Sequence, residues 1–160
     1  MENKEIRKEL KVSALENGTV LDHIPADQLF RVLNILDLKH YPNQITFGTN
    51  LESKLLGKKA IIKVADKYFE DKDINKIALI APEAKVNTIK NFEVIDKKRL
   101  SVPAEINGFV KCFNPKCITN HQPIPTRFTT VQEEGCKLKL QCHYCEKFTS
   151  SEDIRIISEF

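Results

Sequence analysis

Four of the five cysteines fall into two pairs, Cys112-x4-Cys117 and Cys142-x2-Cys145, with residues 118–141 between them. Each pair can close a tight turn and point two sulfurs inward, and Asn114 and Pro115 supply turn chemistry inside the first. Two such turns facing each other make a tetrahedron of thiolates, the donor set of structural zinc, with Zn–S about 2.3 Å. Four protein ligands leave no position for water or substrate. The zinc predicted here, one per chain, therefore builds structure and does no catalysis. Iron in a rubredoxin-type site is a variant of the same geometry, and two disulfides or free thiols are the alternative reading of the spacing. Cys136 alternates with Leu138 and Leu140 on one face of an expected strand and reads as a buried free thiol. His143 lies inside the second pair, where its ring points away from the metal, and His121 sits in a loop of Asn and Pro. Neither is taken as a ligand.

The rest of the chain carries little chemistry of its own. It has no GxSxG, HExxH, GxGxxG or Walker loop, and its four histidines do not fall at ligand spacing. The residues point to a protein that is not an enzyme. Lys63 and Lys97 could meet a phosphate as point charges, and Asp22-His23 at a strand end could take a base or a ribose. Solvated lysines and a turn pair are the plain alternatives.

These residues need elements to position them. ENGTVLDHI (16–24) reads as a strand preceded by a turn at Asn17-Gly18, with LKVSAL (10–15) as an earlier strand piece. Pro25 suits a helix start and Asp27 complements its dipole. Leu29, Val32, Leu33 and Leu36 then form an amphipathic stripe. Residues 44–51 alternate as a half-buried strand, ESKLLGKK is a polar connection, and AIIKVAD (60–66) is a β-branched strand. Asp71 or Asp73 caps a second helix with Ile74, Ile77, Ala78 and Ala81 on one face, ended by Pro82. Residues 85–95 read as one strand. The order β-α-β-β-α-β predicts an α+β fold, a ferredoxin-like sandwich with two helices on one face of an antiparallel sheet. KKRLSVPAE (97–105) lacks periodicity and reads as the boundary, so the expected domains are 1–99 and 100–160. In that segment the apolar Leu100 and Val102 either pack between the domains or belong to a plain solvated tether. INGFVKC, TRFTTVQ and CKLKLQC then form a small all-β domain whose core is thin, so that the metal must contribute to its folding.

Composition sets the class. With 41% hydrophobic and 29% charged residues, the 160-residue chain is an ordinary soluble one. No apolar stretch approaches membrane-spanning length, and the charged start MENKEIRKEL is no secretory signal. A free-thiol metal site fits a reducing cytoplasm. The net charge of +3 resides in residues 1–100, while 101–160 balance before any metal thiolates are counted. That is a poor match to a phosphate backbone, so a zinc-ribbon nucleic-acid-binding protein is only the alternative reading. A small enzyme is disfavoured by the closed metal site.

GTVLDHIPA (18–26), ITFGTNL (45–51), GKKAIIKV (57–64), ALIAPEAKVNTIKNFEVIDK (78–97), CFNPKCITN and LQCHYCEKF together resemble the regulatory chain of aspartate carbamoyltransferase. The likeness runs in order over roughly residues 10–148. It implies a non-catalytic regulatory subunit of pyrimidine biosynthesis. The first domain would bind nucleotide effectors such as ATP and CTP and pair into a regulatory-chain homodimer. The zinc domain would dock onto the catalytic chain. The family's nucleotide site carries over to Val12, Ser13, Ala14 and Leu15 beside the base, and to Val20, Asp22 and His23 by base and ribose. Asn87, Ile89 and Val94 follow as the base and sugar wall, with Lys63 and Lys97 on the phosphate side. Ser13 stands where an acidic residue is usual, and Phe92 where a tyrosine is usual.

Overall fold

The computed structural model describes residues 14–135 and 137–157. The predicted Val12, Ser13 and Cys136 lie outside them, as do residues 10–13 of the strand piece expected over 10–15; Ala14 and Leu15 are described and are not in a strand. In chain order the first domain contains β1 (Gly18–Pro25), α1 (Leu29–Leu36), β2 (Ile45–Ser53) and β3 (Gly57–Ala65). It continues with α2 (Asp71–Ile80), β4 (Lys85–Lys90) and β5 (Glu93–Arg99). The strands form one antiparallel sheet in the order β2-β3-β1-β4-β5. The βαββαβ order expected from the sequence is present, and β5 is added at the edge.

Alternation decides which side of the sheet is core. Leu21 of β1, and Ala60, Ile62 and Val64 of β3, are fully buried and join one apolar cluster with Val86 of β4. Leu29, Val32 and Leu36 of α1 and Ile77, Ala78 and Ala81 after them complete it, so both helices cover the same face. Burying each Leu, Ile or Val side chain stabilises by about 1.5–3 kcal/mol. A 3-10 turn, Ala26–Gln28, leads into α1, and neither helix has a side-chain N-cap bond. Glu70, not Asp71 or Asp73, occupies the N-cap of α2. The two aspartates sit in its first turn, where they complement the dipole.

Gly18 allows the close approach that starts β1. Its φ is +139°, and a Cβ there would sit 2.1 Å from the Val64 carbonyl oxygen. At the far end of β1, Asp22 and His23 together oppose Ile61, a β-bulge that leaves His23 at φ 58°.

Residues 85–95 are not one strand. Asn91 and Phe92 both have positive φ (50° and 63°) and turn the chain into the β4–β5 hairpin. Phe92 in a left-handed conformation is costly, and two bonds to the loop before β1 hold it there. Phe92 N–H donates to the Glu16 carbonyl (2.9 Å) and Asn91 N–H to Asn17 Oδ1 (3.2 Å). The hairpin absorbs residues 97–99 into β5, which shortens the boundary segment expected at 97–105.

The second domain is small and all-β. Its strands are β6 (Glu105–Asn107), β7 (Val110–Lys111), β8 (Arg127–Val131), β9 (Lys139–Cys142), β10 (Phe148–Ser150) and β11 (Arg155–Ile156). The sheet β10-β9-β8-β6 stands beside the pair β11-β7. INGFVKC thus divides between two sheets at Gly108, whose φ is +82°. Phe128, Ile106, Val110, Leu140 and Ile154 form the core. That core is continuous with the first domain: Leu100 is buried in the shared cluster and Val102 packs against it. Arg31 Nη2 on α1 donates to the Ile154 carbonyl (2.5 Å), and Lys76 Nζ on α2 lies 5.6 Å from the Phe109 ring centroid. Among the described residues no helix is long and apolar enough to cross a membrane.

Candidate metal centre and nucleotide face

The two cysteine turns face each other. Cys112 follows β7, Cys117 precedes a 3-10 turn at Ile118–Asn120, Cys142 ends β9, and Cys145 lies in the turn into β10. All four sulfurs lie within 4.8 Å of one another. The Cys112–Cys145 and Cys117–Cys142 sulfur separations are both 3.7 Å. A tetrahedron with Zn–S of about 2.3 Å has edges of about 3.8 Å, whereas a disulfide needs about 2.05 Å. The separations fit a metal tetrahedron and not the two-disulfide alternative. Three of the four cysteines are buried and Cys145 is half-buried.

Electrostatics favour the same reading. Burial, with neighbouring sulfurs, pushes the Cys112 and Cys142 thiols up despite backbone N–H groups aimed at them. At Cys145 burial opposes ionisation too, but the Lys147 N–H, the Asn114 side chain and the Cys112 and Cys142 thiols outweigh it. They bring the pKa to about 7. Four crowded thiolates require a cation among them. His121 Nε2 is 2.8 Å from the Pro115 carbonyl, and His143 packs edge-on to Tyr144.

Most of the residues expected at the nucleotide site share one face of the first sheet. Val20 pairs with Lys63 on one side and Asn87 on the other, and Asn87 pairs with Lys97. Direct antiparallel partners project from the same face, so Lys63, Val20, Asn87 and Lys97 form one row across four strands. Ile89 lies two residues from Asn87 and pairs with Val94, extending the face with apolar side chains. Val20 and Ile89 are buried yet stand outside the cluster beneath the helices, which places this row on the opposite face. Leu15 is half-buried against Gly18, and Ala14 is exposed at the same end.

Asp22 and His23 stand at the bulge. Asp22 Oδ1 accepts from Lys59 Nζ (2.9 Å) and from the His23 N–H (2.7 Å). Burial works against the Asp22 carboxylate, but these bonds and the charges of Lys59 and His23 outweigh it and lower its pKa. Burial lowers the pKa of Lys63, partly offset by Asp22. Among the described residues, His23 Nδ1 is buried without a hydrogen bond, 3.4 Å from Asp22 Oδ2. Sequence reasoning missed Lys59. Alternation in GKKAIIKV puts Lys59, Ile61 and Lys63 on one face, which was the available signal. Its contact with Asp22 depends on the bulge, which no local pattern announces.

Two family models match the chain. One, described as aspartate carbamoyltransferase regulatory chain, allosteric domain, covers residues 10–101. The other, the metal binding domain of that regulatory chain, covers 104–155. Similar curated proteins carry the name aspartate carbamoyltransferase regulatory chain. That of Bacteroides fragilis is 51% identical over 96% of this chain and 99% of its own length. That of Porphyromonas gingivalis is 44% identical over 94% and 99%. That of Pyrococcus horikoshii is 45% identical over 91% and 96%.

Proposed function

This chain belongs to the family of aspartate carbamoyltransferase regulatory chains, an allosteric domain followed by a metal-binding one, and from that premise we propose what each domain binds. The first domain, residues 1–99, takes a nucleoside triphosphate of the ATP or CTP kind on the sheet face opposite its helices. The observation that carries this reading is the row Lys63, Val20, Asn87, Lys97. It sets two cations beside the apolar Val20, Ile89 and Val94, the arrangement a nucleotide's phosphates and base call for. At the other end of β1 the Asp22-His23 bulge suits a ribose or base contact. Val12, Ser13, Ala14 and Leu15 complete the base side.

The second domain, residues 100–160, holds one zinc ion through Cys112, Cys117, Cys142 and Cys145. When bound, the ion supplies folding energy and no chemistry. The four reduced thiols this requires fit the cytoplasm. The knuckles also expose Phe113, Ile118 and Tyr144, by 56%, 43% and 42%. Apolar side chains grouped at one end of a small domain suit a protein partner, and the partner is the catalytic chain of aspartate carbamoyltransferase. First domains pair into a homodimer, for which the sheet leaves two edges, β2 and β5. The role is regulatory control of pyrimidine biosynthesis. The zinc-ribbon nucleic-acid reading finds no support in relatives named as regulatory chains, and Glu133 and Glu134 offset the lysines of that domain.

Calorimetric titration of the full chain with ATP and CTP tests the sensor. Binding is expected to survive high concentrations of competing DNA, and a chain that binds DNA but neither nucleotide overturns the proposal. Co-purification with an aspartate carbamoyltransferase catalytic chain, with Tyr144→Lys as the control for docking, tests the partner.

A further inference from the structure

The two cysteine turns are braced differently. The narrow one, Cys142-x2-Cys145, is closed mainly by its own backbone, with Gln141 Nε2 also donating to the Glu146 carbonyl (3.2 Å). Glu146 N–H donates to the Cys142 carbonyl (2.9 Å) and Cys142 N–H to the Lys147 carbonyl (3.0 Å). The N–H groups of Tyr144 and Cys145 point at the Cys142 sulfur, and that of Lys147 at the Cys145 sulfur. The first turn is two residues wider. Its backbone gives Cys117 N–H to the Asn114 carbonyl (3.0 Å) and an Asn114 N–H to the Cys112 sulfur. Further bracing comes from the segment just beyond. Asn120 Nδ2 donates to two carbonyls of the wide turn, Cys112 (3.0 Å) and Asn114 (2.7 Å). Its own N–H reaches the Cys117 carbonyl (2.9 Å). Thr119 Oγ1 lies 3.2 Å from Cys117 Sγ.

We infer that Thr119 and Asn120 are positioning residues of the metal centre, an outer shell that the wide turn needs and the narrow turn supplies from its backbone. The inference rests on the four-thiolate reading above. One amide fastened to both Cys112 and Asn114 fixes the start of the turn relative to its end at Cys117. That sets the distance between two sulfurs that the longer loop would otherwise leave loose. The Thr119 hydroxyl does for Cys117 what backbone N–H groups do for the other three sulfurs. A metal-bound thiolate can only accept, so the hydroxyl is the donor. Partners of this kind orient ligands and disperse the negative charge of four thiolates on a divalent ion.

The test uses the full-length chain loaded with zinc or, as a spectroscopic probe, with cobalt(II). Asn120→Asp keeps the side-chain shape and removes both N–H donors. It is expected to release zinc to a chromogenic chelator roughly 10- to 100-fold faster than wild type. Thr119→Val removes only the hydroxyl. It is expected to speed release and to move the sulfur-to-cobalt charge-transfer band to lower energy, because the Cys117 lone pair loses a stabilising hydrogen bond. Thr119→Ser is expected to restore both. A general loosening of the domain would not move the band and be repaired by serine. Should Asn120→Asp fail to fold, the Thr119 pair still decides. An unshifted band and unchanged release in Thr119→Val overturn the inference while the zinc reading stands. A wild-type chain that takes up no metal overturns both.

Discussion

Asn87 and Lys97 are direct cross-strand partners on β4 and β5, and the left-handed Asn91 and Phe92 turn the chain into the β5 strand that carries Lys97. Through Val20 the same row reaches Lys63 on β3. On the proposed reading, an extended polyphosphate spanning the three strand spacings of about 4.8 Å each between β3 and β5 would meet both cations.

Removal of either cation is therefore expected to weaken nucleotide binding without harming the fold. A charge-assisted hydrogen bond contributes about 1.5–3 kcal/mol, so Lys63→Ala and Lys97→Ala each predict a loss of about 10- to 150-fold in ATP or CTP affinity. Val94→Lys, on the apolar part of the face, is expected to hurt base binding more than phosphate binding. Triphosphate alone would bind that variant as it binds wild type. Calorimetry on the three variants checks this, and wild-type ATP affinity in Lys63→Ala removes the proposed site.

Asp22 and Lys59 give a pH dependence. The Asp22 pKa is lowered below its ordinary value of 3.8 in the folded state, burial being outweighed by the Lys59 and His23 contacts. The unfolded chain thus takes up this proton at higher pH than the folded one. The stabilisation is fully present above 3.8 and is lost as pH falls through the folded value. Lys59→Met is expected to lower the urea midpoint at neutral pH, with the gap to wild type closing on acidification to about pH 2. A gap that stays constant across that range would mean that Lys59 stabilises by packing and not by charge.

Much of this was legible in the chain, for identifiable reasons. The stripe Leu29, Val32, Leu36 and the β-branched AIIKV carry periods that only one element type can bury, and the cysteine spacing fixes the metal site. The β4–β5 hairpin was not legible. Asn-Phe is no turn signal, and Phe92 accepts its conformation only because Glu16 and Asn17, far away in sequence, hold the hairpin tip. The same holds for Lys59, which meets Asp22 because a bulge re-aims β1. Nor does any periodicity mark the split of INGFVKC at Gly108. These features are set by tertiary bonds, which local patterns do not contain.

Loss of the metal is expected to unfold one domain and spare the other. The second domain's buried set, led by Phe128, Leu140 and Ile154, belongs to a domain small enough that a metal normally completes its folding. Structural zinc contributes about 10–16 kcal/mol in small peptides. Cys117→Ser is predicted to lose the ion and the hydrogen-exchange protection of β8 and β9. Protection in β1 and β3, whose core includes Leu21, Ile62 and Ile77, is expected to persist. Stoichiometric zinc in that variant by elemental analysis would refute the ligand set.

The domains must communicate if nucleotide binding is to affect the catalytic partner, and the geometry offers a rigid route. Leu100 is 9% exposed and belongs to an apolar cluster that includes both domains' core residues. Arg31 on α1 donates to the Ile154 carbonyl, clamping the helix after the Asp22-His23 bulge onto the second domain. Coupling between sites is typically 1–3 kcal/mol, about a 5- to 150-fold change in affinity, which a solvated tether could not carry. Leu100→Ala removes packing and Arg31→Gln removes the clamp, and neither residue lies on the proposed nucleotide row or on the cysteine turns. Each variant is expected to bind nucleotide and the catalytic chain nearly as wild type does, while the change in carbamoyltransferase activity on adding ATP or CTP shrinks. If both keep the full effector response, the coupling does not pass through this interface. If both lose catalytic-chain binding as well, the contacts build the docking domain and do not relay the signal.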